Sequence, residues 1–402
     1  MHSKKIKIAF FADVLKENVD GVTYTLYNII KRVPENKFEF LFITPYPPTD
    51  IKNFPFPVYI CRYVRFPLYQ EYPFAIPNFD KNLVKRLDSF KPDIIHYTTP
   101  SLLGRFAVKY AINNNIPLTS TYHTHFMAYI DYYFKSVPGL CAFLKMVARK
   151  IMLWFYNKTE KIFVPTTPII EELIETGIDK QRLMIWGRGI ETDIFTPSRN
   201  DSSYIDRLCG KNTKRILFVS RLVWEKEIKT LIGIYESLSR KRSDIKFIVT
   251  GDGPQKEIMK KKMPDAVFTD GLHNGDLSRI YASSDLFVFP SITETFGNVV
   301  LEALASGLPV VAAAQGGPKG IIQDGRTGYL AIPKNVEDFC SKILRILDDP
   351  VHRDVLARNS VEYAKSQTWD ALCELLFKTY ENVALMHKPV RTESAVLEMQ
   401  CI

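Results

Sequence analysis

A chain of 402 residues, 46% hydrophobic and 24% charged, outgrows a single core and has a composition that excludes a disordered or fibrous protein. Six scattered cysteines (Cys61, Cys141, Cys209, Cys340, Cys373 and Cys401) include no close pair, which excludes a disulfide framework or zinc cluster and fits a reducing cytosol. The net charge of +9 gathers in the first half: 26 basic against 18 acidic residues in 1–200, 27 against 26 in 201–402, and seven against one (Asp131) in 101–158. Such a patch calls for an anionic partner.

The start, "MHSKKIKIAFFAD", runs straight into a strand and carries no signal-peptide pattern. No stretch of eighteen uncharged apolar residues follows anywhere, so no membrane span is expected. Strands are expected at "IKIAFFA", "FEFLFIT", "PVYICRY", "DIIHYTT", "PLTSTYH", "KIFVPT" and "LMIW", with helices between most of them. Polar, turn-rich "TPSRNDSSYIDRLCGKNTK" (196–214) reads as an interdomain linker. The pattern then restarts at "RILFVS", "KFIVTG", "AVFTDG", "DLFVFP" and "LPVVAA". Residues 369–386 read as a last amphipathic helix, and 387–402 as a mobile tail. The expected fold is α/β: two Rossmann-like domains, 1–196 and 197–368, facing each other across a cleft lined by strand-to-helix loops.

Glu294 and Glu302 stand eight positions apart in "SITETFGNVVLEALASGLPVV", an otherwise apolar, small-residue stretch. Glu294 falls in the loop after "DLFVFP", and Glu302 more than a turn into the helix that Gly307 ends. The amides of Gly297, Asn298 and Val299 open that helix without intrahelical partners, and its positive end favours an anion. Each acid also has a plain reading, as a helix-start or solvated glutamate. In "VSRLVWEK", Arg221 and Lys226 leave a strand end on the cleft side and can hold a diphosphate through bonds of about 1.5–3 kcal/mol each. A surface lysine paired with Glu225 or Glu227 remains the alternative for Lys226. "VTGDGP" sets Gly251 and Gly253 in a tight loop that suits a nucleotide base or a plain turn, and Gly316 and Gly317 read as a turn nearby. His123 or His125 of "TYHTHF" can face a substrate, and Gly21 allows backbone contact with a phosphate or sugar.

Together "ETFGNVVLEALASGLPVV", "SRLVWEK", "WGRGIETDIF" (186–195) and "TYHTHF" resemble the retaining glycosyltransferases of family 4, with the GT-B fold, and within them bacterial glycolipid and mannosyl-lipid synthases. The resemblance spans nearly the whole chain. It implies an N-terminal acceptor-binding domain, with the last helix packing back on it, and a C-terminal nucleotide-sugar domain. Arg221 and Lys226 would hold the donor diphosphate and Glu302 the ribose hydroxyls. Glu294 would bind the donor sugar, His123 would sit over the reacting carbon, and Gly21 would approach the phosphates. The family usually has a glycine pair where this chain has Asp20-Gly21, and often a glycine after the lysine where this chain has Glu227. No D-x-D triplet occurs, so neither metal nor cofactor is expected beside a UDP- or GDP-hexose donor. Two other readings are a soluble transferase acting on a small sugar or polysaccharide and a GT-B nucleotide-sugar epimerase.

Helix-periodic "GLCAFLKMVARKIMLWFYNK" (139–158) mixes aromatics with Lys145, Arg149, Lys150 and Trp154. It suits the interface of an anionic bilayer on the cytoplasmic face, or else a core helix with a wet side. Nucleic acid is disfavoured, because no recognition motif accompanies the patch.

Overall fold

The computed structural model describes residues 4–387 except 18, 20, 67, 68 and 273, so Asp20 and the tail 388–402 lie outside the described residues. The first sheet takes β1 (Ile6–Phe11), β2 (Phe38–Thr44) and β3 (Val58–Ile60). A separate hairpin of β4 (Tyr63–Phe66) and β5 (Tyr69–Ala75) follows, and then β6 (Ile94–Tyr97), β7 (Leu118–Thr121), β8 (Lys161–Val164) and β9 (Leu183–Ile185) complete the first sheet. The second contains β10 (Lys214–Val219), β11 (Ile245–Thr250), β12 (Val267–Thr269), β13 (Leu286–Phe289), β14 (Val310–Ala313) and β15 (Gly328–Ala331). Every pairing within these two sheets is parallel.

The spatial orders are β3-β2-β1-β6-β7-β8-β9 and β12-β11-β10-β13-β14-β15. Each sheet reverses direction once, between β1 and β6 and between β10 and β13. An open parallel sheet binds ligands at that reversal, beyond the carboxyl ends of its strands. The topology therefore singles out four loops before any side chain is considered.

Helices cover both faces, so alternate residues of the first sheet enter different cores. Ala9, Phe11, Leu41 and Ile43 face one cluster, while Ile8, Phe10, Phe40 and Phe42 face another. The last helix, Trp369–Met386, closes the second of these: Cys373, Leu376, Phe377 and Tyr380 pack beneath the first sheet. Trp186 donates from Nε1 to the Leu372 carbonyl at 2.8 Å. The Tyr380 hydroxyl lies 3.0 Å from Nδ1 of His96, whose pKa burial pushes down to about 3.

Some local expectations change. "PVYICRY" is one short strand followed by the start of a hairpin, with the buried Cys61, whose amide donates to the Thr44 carbonyl at 3.0 Å, at the junction. The polar stretch 196–214 is not structureless: a helix spans Ser202–Cys209, with Asp201 capping it through a bond from the Tyr204 amide.

Candidate active site

Two of the four reversal loops meet in the second domain. The loop after β10 makes a tight turn over Trp224–Lys226, and Lys226 is buried there, 5% exposed. Its ammonium does not pair with Glu225 or Glu227, as local sequence suggests. It pairs with the Glu294 carboxylate, which comes from the loop after β13. Thr293 strengthens the same join by donating to the Glu225 carbonyl at 3.2 Å. A buried ammonium requires such a partner, and the strand order brings it within reach across 68 positions of sequence.

Backbone geometry fixes the rest of that loop. Gly297 caps the helix Asn298–Ala305 at φ 98°, a conformation that a Cβ disfavours, and Gly297 and Asn298 line the cleft. The pair Gly316-Gly317 opens a short helix, Gly316–Ile321, rather than forming the expected turn. A Cβ on Gly317 would lie 2.4 Å from the Phe296 backbone, and the Gly317 amide donates to the Glu294 carbonyl at 2.7 Å. These glycines let one loop rest on another. Gly251 does likewise, at φ 135°, against the Ser220 carbonyl.

The first domain supplies the opposite wall. A cavity of about 220 Å³ is bounded by Gly21, His123, Tyr129 and Arg188 on that side and by Glu294, Gly297 and Asn298 on the other. The domains touch across it: Thr295 donates to the His123 carbonyl at 3.0 Å, and a Cβ on Gly21 would stand 3.2 Å from the side-chain Nδ2 of Asn298. Arg188, from the loop after β9, is 4% exposed and donates from Nη2 to Nδ1 of His123 at 3.0 Å. A guanidinium only donates, so Nδ1 accepts and the neutral ring carries its proton on Nε2. Burial, then Arg188 and His96, holds the imidazole pKa well below its usual value. Burial lowers the Arg188 pKa to about 10, which leaves it cationic at neutral pH.

The two histidines thus separate. His125 accepts from the Ala128 amide at 3.0 Å and meets Glu172 at 2.5 Å through Nε2. It caps the helix Phe126–Phe134, and both nitrogens are occupied. Arg188 lies within "WGRGIETDIF", but nothing local marks its partner, which stands 65 positions away.

Five of the expected site residues lie off the cavity wall: Lys226 and Gly251, described above, and Arg221, Glu302 and Val299. Arg221 is exposed, with its guanidinium 4.0 Å from Glu225. Glu302 accepts from the Tyr281 hydroxyl at 3.0 Å, and burial pushes its pKa up to about 7. Val299 sits in the first helical turn, one residue beyond the lining Asn298.

On the outer side of the first domain, the helix Pro138–Tyr156 buries Cys141, Met152, Phe155 and Tyr156. Lys145 pairs with Asp131 at 2.6 Å, and Arg149 donates to the Thr176 carbonyl at 2.8 Å. Lys150 and Trp154 line a groove of about 510 Å³ with Arg105 and Leu102. Among the described residues no helix is long and apolar enough to cross a membrane, and no group of three or more His, Cys, Asp or Glu side chains is placed to hold a metal ion.

Two facing parallel sheets, with reversal loops meeting across an interdomain cavity, define a GT-B glycosyltransferase. Residues 19–194 match the model of Glycosyltransferase Family 4, and residues 207–366 match that of Glycosyl transferases group 1. A GDP-mannose-dependent alpha-mannosyltransferase of Corynebacterium glutamicum is 30% identical, over 96% of this chain and 91% of that protein. An alpha-monoglucosyldiacylglycerol synthase of Acholeplasma laidlawii is 26% identical, over 92% of this chain and 96% of that one. Among solved structures, a sucrose-phosphate synthase of Thermosynechococcus elongatus shares the fold with a TM-score of 0.76 at 20% identity, over 95% of this chain and 100% of that one. The chain belongs to glycosyltransferase family 4 and is a glycosyltransferase.

Proposed function

We propose that this enzyme moves a hexose, with retention and without a metal ion, from UDP- or GDP-hexose to a lipid acceptor at the cytoplasmic membrane surface. Lys226 and Arg221, with the amides of Gly297, Asn298 and Val299, neutralise the departing diphosphate by preorganised charge. Glu294 holds the donor sugar once the diphosphate draws Lys226 away from it, and Glu302 takes the ribose hydroxyls. His123 presents an Nε2 proton to the sugar as a hydrogen-bond donor. A diphosphate oxygen accepts the acceptor's hydroxyl proton on the face it leaves, so the new bond forms on that same face.

The carrying observation for a lipid acceptor is a helix with two apolar sides. At 100° per residue, Leu140, Phe143, Val147 and Ile151 fall within about 80° of arc, beside the arc of the buried Cys141, Met152 and Phe155, while Trp154 packs against the first-domain core. Phe143 is 56% exposed and Ile151 45%, so the outer stripe meets solvent. Lys150 flanks it, about 20° beyond Phe143. An outward apolar stripe with basic residues suits an anionic lipid interface. The diacylglycerol in the name of the Acholeplasma relative supports the same acceptor class.

The test is sedimentation with phosphatidylglycerol vesicles containing diacylglycerol, followed by transfer from labelled UDP-glucose and GDP-mannose. The protein should pellet at low salt, release into the supernatant as salt rises, and form an α-linked glycolipid. Leu140→Asp with Phe143→Asp should stay in the supernatant while still binding nucleotide. A wild-type protein that never pellets overturns the membrane assignment, and a β-linked product overturns retention.

A further inference from the structure

A second cavity, of about 750 Å³, opens on the same seam as the donor cavity, and neither the family resemblance nor the proposed reaction accounts for it. Its first-domain wall is Tyr132 and Tyr133, at the end of the helix Phe126–Phe134. The facing wall is Trp224, Glu227, Lys229 and Lys334, from the loop after β10, the helix that follows it and the loop after β15. Tyr129 of the same helix lines the donor cavity, and Lys226 of the same loop pairs with Glu294 there. The tyrosines of the two cavities stand about one helical turn apart on that helix, roughly 5 Å along its axis.

We infer that this second cavity binds a neutral pyranose ring, the sugar of an acceptor or product that already carries one. A pyranose offers an apolar C–H face and a rim of hydroxyls. It needs an aromatic wall beside fixed polar groups, which is the mixture present here. The tyrosine rings stand edge to face, with centroids 5.3 Å apart, and the Tyr133 hydroxyl is tied to Glu225 at 2.8 Å. Lys229 rests 5.5 Å above the Trp224 ring, which steadies the indole and leaves its three N–H donors for hydroxyls.

Glu227 is the distinctive group. It occupies φ 56°, where the backbone favours glycine, and its side chain is nonetheless buried, 6% exposed. Thr230 donates to Oε2 at 3.0 Å, and the Lys334 ammonium lies 3.5 Å from Oε1. Each carboxylate oxygen keeps a lone pair for a ligand hydroxyl. Glu227 and the neighbouring Glu225 balance the charges of Lys229 and Lys334, and both carboxylates help burial raise the Tyr132 pKa to about 12. A neutral sugar suits this balanced field better than an anion does.

The inference rests on the glycosyltransferase reading only in calling the ring an acceptor or product, so the test measures binding without turnover. Methyl α-D-glucopyranoside and methyl α-D-mannopyranoside are titrated into the full chain by saturation-transfer NMR, with UDP or GDP filling the donor site. Wild type should bind at least one of them, and Tyr132→Ala, Trp224→Ala and Glu227→Gly should each weaken that binding at least tenfold. Glu227→Gly suits the backbone better than the native residue, and a retained nucleotide thermal shift reports that each variant is folded. Stronger binding to vesicles bearing monohexosyl-diacylglycerol than to the methyl glycoside identifies a glycolipid headgroup, and equal binding identifies a free saccharide. Absence of glycoside binding, binding unchanged in Glu227→Gly, or displacement of glycoside by inorganic phosphate overturns the inference. None of these outcomes bears on whether Glu294 and Lys226 serve transfer.

Discussion

The two sheets reverse direction at equivalent places, yet the chemistry lodged at each reversal differs. In the second domain the loops after β10 and β13 meet as a buried ion pair, Lys226 with Glu294, on a backbone thinned by Gly251, Gly297, Gly316 and Gly317. In the first domain the loops after β1 and β6 meet as an acid and a hydroxyl, Ser101 donating to Asp13 at 2.9 Å. Burial pushes the Asp13 pKa up to about 6, and no cation offsets it there. One crevice holds an internal ion pair, and the other is built around an acid and a hydroxyl. A single strand order thus carries two kinds of chemistry, and the loops alone decide which.

The sharpest way to break this comparison is to remove the cation. Lys226→Ala should lower kcat/KM for transfer by about 10²–10³-fold, the usual scale for losing a preorganised charge partner, and should abolish the UDP or GDP thermal shift. Glu294→Ala should fall comparably while the protein stays folded by circular dichroism. The two share one contact, so the double variant should lose much less than the product of the single losses. Asp13→Asn should keep the nucleotide shift intact. Full activity in both single variants would dismantle the site.

Next in size is the imidazole. Arg188 fixes which nitrogen of His123 carries the proton, so Arg188→Lys, which lacks the planar fork, should cost about 10–100-fold in kcat with KM for donor little changed. His123→Ala should cost at least as much. If Arg188→Lys instead raises KM alone, the guanidinium binds donor directly and the positioning argument fails.

Much of this architecture is legible in sequence, for a physical reason. Parallel strands buried on both faces are continuous β-branched and aromatic runs, so "IKIAFF" and "FEFLFIT" announce themselves, and the last helix is read at its true limits of 369–386. The β4–β5 hairpin was hidden because "PVYICRY" runs across the boundary between two sheets. β15 was hidden because four residues that begin with a glycine carry too little pattern. Within the site, Glu294, Gly21, Gly297 and Asn298 are legible from loop position, and they share a cavity with His123. Partners separated by 65 and 68 positions, Arg188 with His123 and Lys226 with Glu294, depend on strand order, which no local spacing records.

Loop packing gives a third test, on stability rather than rate. Gly317→Ala sets a methyl 2.4 Å from the Phe296 backbone and should cost about 1–3 kcal/mol in urea unfolding. A Cβ on Gly275 meets nothing within 4 Å, so Gly275→Ala should be nearly neutral by that measure. Equal losses would mean that the loops do not rest on one another as described.

The last test separates the buried acids by pH. Glu302, at about 7, and Asp13, at about 6, both hold protons in the folded state that the unfolded chain releases near pH 4. The folded state therefore binds more protons within that window, and each acid makes stability fall as pH rises through it, by at most about 1.4 kcal/mol per pH unit per group. His96, pushed down to about 3, acts in the opposite sense, since stability is lost as pH falls below about 6.5 and the unfolded imidazole charges. The opposing slopes blur the wild-type profile, so the measurement is a difference. Wild type minus Glu302→Gln should decline between about pH 4.5 and 7 and then level off. The corresponding difference for Asp13→Asn should level off about one unit earlier, because Ser101 favours its ionised form while nothing cationic does. Two differences that level off together would show that the crevices share one electrostatic environment after all.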